Sequence, residues 1–175
     1  FAGYWEYLLN EAIFTSPAHP FWGGAGLIAG NGHLIGIGSL FVQNNKDDNT
    51  SFDGNMIVPI DLLVPILDDL LKYGRVNKSP RPWLGTMVAE AANSLIIAGV
   101  VPGGPGDSAG LEPGDNLSAI DGNPANSLAS FLRQLWSLGE AGVDVTLTVE
   151  REQQFLDILV RSADRNTYLL QPNFH

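Results

Sequence analysis

The stretch "GVVPGGPGDSAGLEPGDNLSAIDGNPA", residues 99 to 125, decides the fold. It continues the β-rich apolar run "SLIIAGVV" at 94–101, and its glycines and prolines then leave room for one helical turn, around Asp107 to Leu111. "NLSAI" reads as a short strand and "DGNP" as a turn. "SLASFLRQLWSLG", 127–139, follows as an amphipathic helix capped by Asn126 or Ser127. "VDVTLTVER" and "QFLDILVRS" alternate as the two arms of a hairpin joined through Glu152 and Gln153. This half reads as a small mixed domain of several strands and two helices.

Upstream, "YGRVNKSPRPW" at 73–83 interrupts the apolar pattern with a glycine, basic residues and two prolines, and reads as a linker. Before it, "GHLIGIGSLFVQ" reads as a strand and "NNKDDNTSFDGN" as an exposed loop. "NMIVPIDLLVPILDDLLKYG" gives a short strand and then a helix from about Asp61, with Pro65 in its first turn and Gly74 at its end. Its apolar stripe is Leu62, Leu63, Ile66, Leu67, Leu70 and Leu71. The tail from residue 164 to 175 reads as an ordered arm or a frayed end.

The 175 residues include 19 acidic and 9 basic ones, a formal charge of -10, so nucleic-acid backbones and anionic membrane surfaces repel the chain. With no cysteine, disulfides and thiol catalysis are excluded, and the compartment stays open. No run of 18 apolar residues suggests a membrane span. "FAGYWEYLLNEAIF" lacks the basic start and cleavage site of a secretory signal and reads as the middle of a protein. Isolated histidines and unspaced acidic pairs give no metal site, and no cofactor motif is present.

The second half resembles a PDZ domain of the bacterial HtrA (DegP-like) serine proteases. The resemblance is carried by "RPWLGTMV" at 81–88, the 99–125 stretch, "SLASFLRQL" at 127–135 and "VTLTVER" at 145–151. It extends upstream, where "PFWGGAGLIAGNGHLIGIGS" and "GNMIVPIDLLVPILDDLLKYGR" lie along the end of a trypsin-like protease domain with Pro20, Leu27, Gly32, Ile35, Gly36 and Ile37 in register. The fold class it implies is mainly β with some α. Residues 1–75 would be the C-terminal part of a trypsin-like β-barrel, 76–82 the linker, 83–163 the PDZ domain and 164–175 a tail. Half a barrel would expose strand edges and an apolar face, so residues 1–75 need a partner.

The register puts Gly23 at the family's catalytic serine, with Phe21 and Trp22 in place of the preceding Gly-Asn and Ala25 in place of a glycine. Acyl transfer needs a nucleophilic Oγ, an imidazole, an orienting carboxylate and oxyanion donors. Gly23 supplies only a backbone donor. The resemblance therefore implies a decayed nucleophile turn with the backbone of Phe21 and Gly23 as a remnant oxyanion hole, and none of His19, His33 and His175 matches the family histidine. On spacing alone, "FWGGAG" reads rather as a tight turn without chemistry, its glycines at positive φ and Phe21 and Trp22 packed as core or surface aromatics.

PDZ domains add a partner's C-terminal segment to a sheet edge and hold its carboxylate in a loop of backbone N–H groups. By resemblance that loop is Trp83, Leu84, Gly85 and Thr86, the pairing strand is "TMVAE", and Met87 lines the pocket for the last side chain. Leu128 and Leu132, with Leu135, fall on one helix face and read either as the opposite wall or as ordinary core.

The function implied is an HtrA-like serine protease homologue without activity that binds C-terminal or unfolded peptide segments. Two other readings stay open at this point. One is an active serine endopeptidase of protein quality control, with catalytic residues outside this chain or displaced to Thr15, Ser16 or Ser39. The other is a structural or oligomerisation module. The partners implied are peptides or unfolded segments, and an upstream protease half or another protomer of a homo-oligomer. The location implied is periplasmic or extracytoplasmic.

Overall fold

The computed structural model describes residues 1–44, 52–91 and 94–168. It divides into two compact units. One contains Phe1 and Leu9–Asn77, and the other contains Ala2–Leu8 together with the chain from Lys78 onward. The sequence reading placed residues 1–75 in one barrel portion, and here the structure departs from it. Strands β1 (Ala2–Gly3) and β2 (Tyr7–Leu8) form an antiparallel hairpin, and Ala2 and Leu8 pack against the apolar core of the second unit.

The first unit is an antiparallel sheet of β3 (Ile13–Thr15), β4 (Gly26–Ile28), β5 (Leu34–Asn44) and β6 (Phe52–Pro59), in the order β3-β6-β5-β4. Residues 45–51 of the expected exposed loop lie outside the described residues. Met56 and Ile57 are buried on β6, but Phe14, Ile28, Leu34 and Ile37 remain exposed. The expected apolar face is thus present on the sheet.

The helix expected from Asp61 begins later. Two 3-10 turns, Ile60–Leu62 and Val64–Ile66, precede α1 (Leu67–Tyr73). Pro65 has no N–H to donate to Asp61, so an α-turn cannot close across it. Gly74, at φ 66°, ends α1. Leu62, Leu67 and Leu71 of the expected stripe are exposed.

In the second unit, β7 (Thr86–Ala91), β8 (Ser94–Val100) and β9 (Asn116–Ile120) precede β10 (Asn123–Pro124), β11 (Asp144–Arg151) and β12 (Gln154–Arg161). The sheet runs β12-β11-β9-β8-β7, with β10 on β9, so β7 is an edge. Helices α2 (Pro105–Ala109) and α3 (Leu128–Ser137) complete the unit. The apolar stripe of α3 buries Leu128, Phe131, Leu132 and Leu135 against Val88, Ile97 and Val149. Ser127 caps it in a reciprocal box with Ser130. Glu90 of β7 also accepts the Leu128 N–H at 2.9 Å, which ties the start of α3 to the edge strand.

Candidate functional site

The turn at Gly23 is held to β5 by backbone bonds. Ala25 N–H donates to the Trp22 carbonyl at 3.0 Å, Gly24 N–H to the Gly38 carbonyl at 2.9 Å, and Gly38 N–H to the Ala25 carbonyl at 2.8 Å. Gly38 permits this closeness, because a Cβ there would collide with the Trp22 carbonyl. Gly23 lies beside Gly24 and Ser39 on a cavity of about 470 Å³ whose other walls include Ile37, Val58 and Ile66. Among the described residues no histidine or carboxylate lines this cavity.

Phe21 N–H, one of the two expected oxyanion donors, donates instead to His19 Nδ1 at 3.1 Å, and the Phe21 side chain is 81% exposed. Of the displaced nucleophile candidates, Ser16 Oγ donates to the Asp53 carbonyl at 3.3 Å. A side chain at Gly23 would meet nothing within 4 Å. The turn therefore has space for a serine and no atom that can attack a carbonyl.

The second unit carries a different chemistry in "WLGT". Gly106 N–H donates to the Leu84 carbonyl at 2.7 Å and Val101 N–H to the Gly85 carbonyl at 2.8 Å. The loop carbonyls are thus drawn toward α2 and the end of β8. Gly85 sits at φ 73°, a conformation that carries a steric cost for any L side chain, and a Cβ there would lie 3.2 Å from the Trp83 ring. This pleat turns the amides on either side of Gly85 toward one point. Leu84 N–H and Thr86 N–H both donate to the Glu6 carboxylate, at 3.4 and 3.0 Å, and Thr86 Oγ1 adds a bond of 3.2 Å.

The hairpin of β1 and β2 places that carboxylate. Its loop is Tyr4-Trp5-Glu6, and the Tyr4 carbonyl accepts the Val88 N–H of β7 at 2.8 Å. Helix α3 touches both β1 and β2 as well as β7, so the hairpin lies where helix and edge strand face one another. Glu6 is 8% exposed. Burial pushes its carboxyl up from the usual range to about 7, against the Thr86 and Leu84 amides and the charge of Arg165, which favour ionisation. Beside it is a cavity of about 360 Å³ lined by Tyr7, Arg81, Trp83, Trp136, Asp164 and Arg165.

The structure brings Leu84, Gly85 and Thr86 together in one loop, with Leu84 and Thr86 as donors to Glu6. Trp83 is buried, exchanges backbone bonds of 3.1 and 3.0 Å with Ala163, and packs its ring 4.9 Å from Tyr168. It braces the loop from the side and lines the cavity beside Glu6. Met87 is half-exposed beside Gly99. Leu128 and Leu132 are buried in the core cluster. Glu6 and Tyr4 were missed by the sequence reading, because each acts through a partner distant in the chain; Val88 and Glu90 lie in the strand expected to pair with a peptide, but their bonds to Tyr4 and Leu128 were not foreseen. Among the described residues no group of three or more histidine or carboxylate side chains could hold a metal.

Comparison with known proteins supplies the wider setting. Residues 82–161 match the family described as PDZ domain. A serine protease Do-like HtrA of Lactobacillus helveticus is 28% identical over 156 residues, covering 79% of this chain and 37% of the relative. A probable periplasmic serine endoprotease DegP-like of Halomonas elongata is 30% identical over 147 residues, covering 77% of this chain and 29% of the relative. The serine endoprotease DegS of Escherichia coli is 25% identical over 146 residues, with 78% and 41% covered. A solved structure of the HtrA-type protease AlgW with decapeptide shares the fold at a TM-score of 0.52, with 24% identity over 81% of this chain and 48% of that one. The chain spans less than half the length of each of these proteins.

Proposed function

Starting from a chain that carries a PDZ domain and is related to the HtrA/DegP serine proteases, we propose that it serves as a peptide-recognition protein of that family. Its groove takes C-terminal or unfolded segments, and its protease turn has no nucleophile of its own. One observation carries this reading: the backbone amides of Leu84 and Thr86 converge on a single carboxylate beside an edge strand. An incoming segment would extend along β7, with its terminal carboxylate between these amides and its last side chain toward Met87 and the start of α3. Buried N–H donors fixed in place before binding favour a carboxylate over an amide, since an amide leaves a donor facing them.

The exposed apolar face of the first unit supports assembly with an upstream protease portion or a second copy of the chain. Among the described residues no helix is long and apolar enough to cross a membrane. Relatives named periplasmic favour an extracytoplasmic location. The test is calorimetric titration with an apolar-ended peptide as free acid and as C-terminal amide. Saturable binding of the acid, weakened about tenfold or more in the amide, is expected for loss of one charge-assisted pair worth about 1.5 kcal/mol or more. Equal binding of both forms removes carboxylate capture.

A further inference from the structure

We infer that residues 2–8 are a built-in ligand of the PDZ groove, a hairpin that closes the carboxylate loop with the side chain of Glu6 in place of a peptide terminus. The inference rests on the reading of that groove as a peptide site. Three features of the hairpin fit it.

The first is direction. The Tyr4 carbonyl takes the Val88 N–H and the Glu6 side chain takes the Thr86 N–H, so the hairpin passes β7 in the opposite sense, the sense an antiparallel ligand takes, with one backbone bond to the edge. The second is chemistry. A glutamate side chain ends in the same two-oxygen anion as a chain terminus, and here its oxygens take the N–H groups of both Leu84 and Thr86. The third is backbone conformation. Glu6 stands at φ 59° as the last residue of a three-residue hairpin loop, a position that glycine would fill at lower cost. The chain keeps a strained glutamate where a glycine would serve the turn, and its carboxylate is what the loop holds.

A terminal carboxylate would need the same donors, so a free peptide and the hairpin cannot occupy the loop together. Binding of a peptide must then carry the cost of releasing residues 2–8, which lowers its apparent affinity by the fraction of time the groove is open. Released, the hairpin uncovers the half-buried Trp5 and Tyr7, whose rings now stack 6.1 Å apart, with the already exposed Tyr4 edge-on to Trp5 at 4.7 Å. Peptide arrival at the groove is thereby converted into a change at the chain segment that leads into β3.

The test compares the natural chain with Glu6→Gln and Glu6→Gly. The glycine variant removes the carboxylate while relaxing the turn, so loss of folding does not obscure it. Two quantities are read: hydrogen exchange of the Leu84 and Thr86 amides without ligand, and affinity for a free-acid decapeptide ending in valine. Exchange at both amides about tenfold faster in the variants, with decapeptide binding about tenfold tighter, is expected if the hairpin closes the groove about nine-tenths of the time. Amide exchange indifferent to Glu6, with equal decapeptide affinity in all three chains, overturns the inference and leaves the peptide site standing. Exchange that responds to Glu6 while no chain binds the decapeptide supports the hairpin as occupant and defeats the peptide reading instead.

Discussion

Replacing Arg151 by methionine should destabilise the second unit severely, although the residue is the last of β11 and its side chain is partly open to solvent. Arg151 grips Asp115 with two parallel bonds, Nε to Oδ1 at 2.6 Å and Nη2 to Oδ2 at 2.7 Å, and reaches Glu112 at 2.9 Å. Asp115 is 1% exposed, whereas the Arg151 side chain is 25% exposed. Breaking a fully buried pair costs about 3–5 kcal/mol, and partial access of water to the arginine lowers this to about 2–3 kcal/mol. For a unit of this size that is a fall of about 10–20 °C in the unfolding midpoint.

The effect carries a pH signature. Burial raises the Asp115 carboxyl, but the Arg151 bonds and the Glu112 amide outweigh it and hold the group below its ordinary value. A depressed folded-state value means that the ionised carboxylate stabilises the natural unit at neutral pH, and that this contribution is lost as pH falls through the folded value. Without the guanidinium, burial dominates and the variant favours the protonated acid. The stability gap between the two chains, read from urea unfolding, should therefore narrow on going from pH 7 to pH 4. A gap below about 0.5 kcal/mol at pH 7, the size expected of an ordinary surface substitution, would refute the reasoning.

Gly85→Ala should cost about 1–2 kcal/mol through the positive φ, and weaken peptide binding further because the Cβ presses on the Trp83 ring and turns the flanking amides away; unfolding and titration curves check both. Gly23→Ser should leave the unfolding midpoint within about 2 °C, since the side chain enters open space, and cleavage of an unfolded protein substrate by the serine variant but not by the natural chain would support the reading of this position as that of a nucleophile. The Glu6 carboxyl should titrate near 7 by carbon NMR, facing Arg165 and beside Arg81 and Asp164; a midpoint near 4.5 would mean that it is not buried against the loop.

Much of the second unit was legible because its signals are local. Ser127 begins α3 where a cap was expected, the turn at Pro105–Ala109 sits between glycines, and Glu152 and Gln153, both at positive φ, reverse the chain between β11 and β12. The break in the helix after Asp61 was legible in Pro65 but was read as a first-turn proline, which a helix tolerates; the 3-10 turns show it one turn too far in. What sequence could not supply were partners far apart in the chain. Glu6 reads as an unremarkable acidic residue near the start of the chain, and only the fold carries it 78 positions onward to Leu84. Asp115 likewise belongs to a turn motif, "PGD", until β11 brings Arg151 over it. At Gly23 the lack of a side chain was legible from the residue type alone, whereas the orientation of the Phe21 amide toward His19 needed coordinates.

The most direct test of the central claim is to follow the amide resonances of Leu84 and Thr86 while an apolar-ended peptide is added as free acid and then as amide. Large shifts at both positions with the acid, spreading along β7 to Val88 and absent with the amide, are the predicted result. Shifts elsewhere, or the same response to both peptides, would contradict the assignment of this loop as the recognition centre.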